Sequence, residues 1–185
     1  MSTAVSPTPA GSAPVLRRLY LVRFGFAIVW AVLMVLLGHG LGSVAAVLVV
    51  LYPLFDGACA IIDARASTSS TSARGLILNV AISILAAIGL GIAVTSGIPA
   101  VLQVWGGWAV AAGLIQLAVG IIRRGLGGQW PMMLSGAISV FAGAGFFLMA
   151  SGPNPSLVSV AGYATLGGIF FLASAMRLRR ARTPA

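Results

Sequence analysis

Residues 51–64, LYPLFDGACAIIDA, decide the fold, because they form an apolar run with an acid, Asp56, inside it. Around that acid stand an aromatic and a glycine, Tyr52 and Gly57, in the spacing aromatic-x4-Gly. The same spacing recurs at Trp108 and Gly113, and again at Tyr163 and Gly168, but the acid does not recur. A repeated scaffold therefore carries one unrepeated charge.

Working outward, the chain of 185 residues is 59% hydrophobic and 7% charged, with a mean hydropathy of +1.08. A water-soluble domain of that length needs far more polar surface, so a bilayer is the expected solvent. Six apolar runs, 19–38, 41–62, 75–95, 99–122, 131–150 and 156–176, each approach the roughly 20 residues that cross about 30 Å of hydrocarbon. The first is too long for a signal peptide and lacks a following small-x-small cleavage site, which predicts a retained transmembrane helix. The fold class expected is therefore all-α integral membrane, with a tail over residues 1–15, a membrane domain over 16–182 and an end over 183–185. The tail is rich in Ser, Thr, Ala and Pro with no charged side chain, a composition that predicts disorder.

The net charge of +9 comes from 11 arginines against two acids. They cluster at the ends of apolar runs rather than on one soluble face, which excludes a nucleic-acid partner and marks topology. Connectors 38–41, 96–98 and 151–155 carry no arginine, whereas 63–74, 123–130 and both termini do. The positive-inside rule then predicts both termini on the cytoplasmic side of the membrane, with the arginines attracting anionic lipid headgroups.

Comparing the chain with itself gives a period near 56. LNVAISILAAIG at 78–89 matches LSGAISVFAGAG at 134–145 in six of twelve positions. Three tandem two-helix repeats are predicted, about 19–65, 75–124 and 131–180. Each hairpin has an even number of spans, so the repeats are parallel, and a pseudo-threefold bundle is the expected arrangement. The small residues have a packing role, since helices in lipid associate by close approach of their backbones. Small-residue seams left on outer faces would support a homo-oligomer or a membrane-protein partner.

Six spans, three two-helix repeats, and second helices reading aromatic-x4-Gly before a basic end resemble the HdeD-like acid-resistance membrane proteins. The resemblance covers about residues 19–182. It implies a bacterial inner-membrane protein linked to acid or envelope stress, and it brings no catalytic residues to carry over.

Chemistry-bearing residues are few. Asp63, beside Arg65, reads as an interfacial residue. Asp56 lies two turns deeper, about 10 Å along a helix. An ionised acid there costs about 2.5–3.5 kcal/mol on insertion scales and should face protein or water. Arg23, at similar depth on the preceding antiparallel helix, is its expected partner. The repeats put Asn79 and Ser135 at the Arg23 position, and Ala112 and Gly167 at the Asp56 position, so both charges vanish together. An Arg23–Asp56 pair locking the first hairpin, and a proton-handling or ligand-contacting acid, are the two alternatives.

Cys59 reads as a small buried hydrophobe, and His39 as a polar loop residue. Gln116 should bond to another helix, and Pro53 should kink the second one. Trp105 and Trp130 suit the interfacial belts, whereas Trp30 and Trp108 are packing residues. Two acids, one histidine and one cysteine assemble no triad, metal cluster or phosphate loop, so no enzyme, no cofactor and no metal are expected. A small transporter or channel, with a pathway between the hairpins near Asp56, is the alternative function.

Overall fold

The computed structural model describes residues 12–67, 69–126 and 129–180. Six helices make up almost all of it: α1 (Ser12–Leu37), α2 (Ser43–Ala66), α3 (Ser70–Ala93), α4 (Ile98–Ile122), α5 (Trp130–Ala150) and α6 (Val158–Arg180). No strand occurs among the described residues, and all six helices are long and apolar enough to cross a membrane. The fold is an all-α, multi-pass membrane bundle.

Local sequence sets the helix ends. Gly38 stops α1, with its amide bonded to the Met34 carbonyl at 2.8 Å. Ser69 caps α3, its side chain accepting from the Ser72 amide at 3.3 Å. Gly97 has a φ of 98°, a conformation glycine adopts freely, and Pro99 follows in the first turn of α4. The first helix begins at Ser12, inside the stretch expected to be tail, and residues 1–11 and 181–185 lie outside the described residues.

Each helix packs on its neighbours in sequence, and α6 returns to α1 to close a ring. The closest seams join α2 to α3, α4 to α5 and α6 to α1, while α1–α2, α3–α4 and α5–α6 touch less. The α4–α5 seam is glycine against glycine. A Cβ on Gly113 would sit 2.8 Å from the Gly136 carbonyl oxygen, and one on Gly106 would sit 2.7 Å from that of Gly143. Such approach is available only to residues without a side chain, and it maximises van der Waals contact where lipid supplies no hydrophobic push. The outer surface is apolar, with Phe141 and Leu148 each 78% exposed. Hydrocarbon, not water, matches that surface.

The two ends of the bundle differ. Six antiparallel helices place the start of α1, the end of α6, the end of α2 with the start of α3, and the end of α4 with the start of α5 together, an arginine-rich end, and the other helix ends at the opposite side. The half towards the opposite end is filled by one apolar core. It includes Trp30, Met34, Leu90, Leu102, Trp105 and Leu157, each no more than 1% exposed. The half towards the arginine end buries polar side chains, Asp56, Asp63, Asn79, Ser83 and Arg123, between two smaller apolar clusters.

Trp105 corrects its expected place in an interfacial belt. Its ring is fully buried, stacked on Trp30 at 5.5 Å and edge-on to Trp108 at 5.4 Å. Its depth along α4 suits a belt, but its face of the helix points into the core, and burying a large ring against other rings outweighs the interfacial preference. Trp130, by contrast, is exposed at the start of α5, with the Arg177 guanidinium 4.7 Å above its ring.

Candidate functional site

Helix α2 builds the site. Tyr52, Asp56 and Asp63 fall at i, i+4 and i+11, which puts them on one helical face, and that face looks into the bundle. Asp56 is 8% exposed and Asp63 1%.

The Asp56 carboxylate is shared among partners from several helices. Arg23 on α1 donates from Nη2 to Oδ1 in an ion pair. Asn79 on α3 donates from Nδ2 to Oδ2 at 2.7 Å, and Ser83, one turn further along α3, donates its hydroxyl to the same oxygen at 3.2 Å. The Ser83 oxygen in turn accepts from the Trp108 indole of α4 at 3.1 Å. The Arg23 guanidinium also lies 4.2 Å above the Phe171 ring of α6. Five helices thus meet at one carboxylate and its immediate partners. A buried ionised acid is tolerated when paired and hydrogen-bonded, and both conditions are met.

The recurring aromatic-x4-Gly positions also converge here. Gly57 faces Ser83, with a Cβ there 3.3 Å from the serine Cβ; Gly113 faces Ser139, at 2.7 Å; Gly168 faces Ala27, at 3.1 Å. Tyr163 donates its hydroxyl to Ser139 at 3.0 Å, a bond of the same form as Trp108 to Ser83. Tyr52 instead packs its ring among Phe26, Trp30, Trp105 and Trp108, at centroid distances of 4.8–5.9 Å.

A second ion pair lies closer to the arginine end. Asp63 Oδ1 accepts from Arg123 Nη1 at 2.8 Å, and both side chains are buried. This overturns the interfacial reading of Asp63 beside Arg65: the acid turns inward and ties α2 to the end of α4. Sequence reasoning missed it because the partners are 60 residues apart, although Asp63 lies seven residues beyond Asp56 and so shares its face. Asn79 and Ser83 were missed as ligands of Asp56 too. Gln116 bonds across to α5, donating to the Met132 carbonyl at 3.1 Å. Cys59 is buried and His39 is exposed in the first connector. Pro53 is buried within α2.

Two cavities of about 40 Å³ each lie on the axis and share a wall of Arg23, Asp56, Ala112 and Gln116. One extends towards Trp108, Ser139 and Tyr163; the other extends towards Asn79, Asp63 and Met132. A water needs about 10–15 Å³ of such space, so each has room for a few waters.

Fold and site together define a multi-pass membrane bundle with two buried charge pairs in one half and an apolar core in the other. No family model, curated protein or solved structure matches this chain.

Proposed function

We propose that the chain is a non-enzymatic membrane protein of the HdeD-like kind, resident in a bacterial inner membrane with both termini cytoplasmic. It would serve acid or envelope stress by binding a lipid or protein partner rather than by turning over a substrate. The observation that carries this reading is the commitment of both carboxylates, Asp56 to Arg23 and Asp63 to Arg123, as neutral pairs that join helices. Acids so engaged hold a bundle together and are poorly placed for general acid–base work.

Three tandem hairpins about a pseudo-threefold axis form part of the proposal. The contacts of Gly57, Gly113 and Gly168 support it, because their partners, Ser83, Ser139 and Ala27, are themselves spaced by 56 in the chain. Each even-numbered helix then packs its glycine on the odd-numbered helix of the next hairpin. Anionic lipid at the arginine end is the proposed surface partner, through charge attraction alone.

The test is survival after acid challenge of cells lacking the protein, against cells complemented with wild type or with Asp56→Asn. A survival defect restored by wild type supports the stress reading. Equal survival of deleted and complemented cells overturns it.

A second reading, a small transporter or channel, is favoured by the axial cavities touching Asp56. Its test is proton or solute flux into vesicles carrying the reconstituted protein. Flux that Asp56→Asn abolishes would establish transport, and flux no greater than in protein-free vesicles would remove it.

A further inference from the structure

The geometry points to a lipid site on the outer face of the bundle: a groove between α1 and α6 holds one phospholipid acyl chain, in the half of the membrane away from the arginine end. The inference rests on neither function proposed above, and the groove is separate from the cavities around Asp56.

The groove has about 280 Å³ of open space, against about 40 Å³ in each axial cavity. Ile28, Ala31, Val32, Val35 and Leu36 of α1 line it, with Thr165 of α6. The α1 residues fall at i, i+3, i+4, i+7 and i+8, one continuous face of the helix. From Ile28 to Leu36 that face runs about 12 Å at 1.5 Å per residue. One leaflet of a 30 Å hydrocarbon core is about 15 Å deep, so the groove matches the depth of a single leaflet.

Packing between α1 and α6 closes one end. A Cβ on Gly168 would lie 3.1 Å from that of Ala27 and 3.7 Å from Ile28 Cδ1. Gly162, three residues before Thr165 and on the same side of α6, has nothing within 4 Å of its missing Cβ. The tight contact therefore does not continue on that side towards the opposite end.

The lining selects the occupant. Its one polar side chain, Thr165, already commits its hydroxyl to the Ala161 carbonyl at 2.8 Å. Water needs two to four polar partners, and an apolar cavity without them stays dry or takes an apolar guest. Both helices are long and apolar enough to cross a membrane, so the groove opens on hydrocarbon. Val32 and Leu36, 52% and 66% exposed, gain dispersion contacts when a chain lies against them. A space of about 280 Å³ over about 12 Å has a cross-section of about 23 Å². That admits an extended hydrocarbon chain but not a helix about 10 Å across from a second copy.

Native mass spectrometry of the protein extracted from membranes in detergent tests this. The wild-type chain should carry one phospholipid through delipidating washes. Val32→Trp fills the groove and should lower the lipid-bound fraction several-fold, and Val35→Trp does the same should the first variant not fold. Val22→Trp, on the same helix towards the arginine end and as exposed as Val32, at 50% against 52%, should leave the fraction unchanged. A wild-type chain with no bound lipid overturns the proposal. So does a lipid retained in full by a folded groove variant, or lost equally from Val22→Trp. A doubled protein mass in place of bound lipid also overturns it, by putting a second copy on the groove.

Discussion

Asn79 donates to the Asp56 carboxylate at 2.7 Å, on the oxygen that Arg23 leaves free. Asn79 also stands 56 positions after Arg23, the period of the chain's internal similarity. The position where a neighbouring repeat loses the arginine is thus a second ligand of the same acid. One carboxylate draws α1 and α3 onto α2, across a hairpin boundary rather than within the first hairpin alone.

Replacing Asn79 with Ala should therefore destabilise the bundle, although neither residue of the ion pair is touched. A hydrogen bond to a charged group contributes about 1.5–3 kcal/mol, and a loss of that size is expected in detergent unfolding. Asn79→Asp should be worse, because it sets two carboxylates against each other at the same point.

Ser83 relays the network, donating to Asp56 while accepting from Trp108. Ser83→Ala removes one bond to the acid and leaves a buried indole N–H without its acceptor, at an expected cost of about 1–3 kcal/mol. Trp108→Phe removes the donor instead. In the Ser83→Ala background it should cost less than in wild type, and a thermal double-mutant cycle checks the difference.

The glycines rank by the space around them. Gly113→Ala drives a methyl within 2.7–2.8 Å of Ser139 and the Gly136 carbonyl, whereas Gly57→Ala meets the Ser83 side chain at 3.3 Å and the Val80 carbonyl at 3.9 Å. Overpacking costs about 1–3 kcal/mol, so Gly113→Ala should fall in that range and Gly57→Ala below it. Gly145 and Gly162 have nothing near their missing Cβ. Alanine there should be neutral or stabilising by up to about 1 kcal/mol from helix propensity. Melting temperatures of the four variants supply the order.

Asp63 and Arg123 form the second lock, at 2.8 Å and fully inside the protein. Asp63→Asn leaves a buried guanidinium without its charge partner, at an expected cost of about 3–5 kcal/mol. Arg65→Gln, at the neighbouring exposed arginine, should change stability by less than about 0.5 kcal/mol. Equal effects of the two variants would contradict the inward placement of Asp63.

Much of this was legible in the sequence, and the failures have physical reasons. The spans followed from the length of the apolar runs, since hydrocarbon thickness sets a nearly fixed helix length. The candidate pairing of Arg23 with Asp56 followed from depth: two charges at one level on antiparallel neighbours have few other ways to be neutralised. Direction around the helix was harder to read than depth. Trp105 and Asp63 both lie at depths that suit an interface, yet both face inward, and which face looks inward depends on ring packing between distant segments. Asn79 and Ser83 were visible as repeat positions, but their contact with Asp56 arises only because α3 of the second hairpin packs closely on α2 of the first.

The Arg23–Asp56 pair is the contact on which the bundle most depends. A double-mutant cycle with Arg23→Gln and Asp56→Asn, read by unfolding in detergent micelles, tests it most directly. Each single variant should lose about 3–5 kcal/mol by stranding a buried charge. The double variant should recover part of that loss, giving a coupling above about 1 kcal/mol, whereas additivity to within about 0.5 kcal/mol would show that the two charges do not support one another and would contradict the claim.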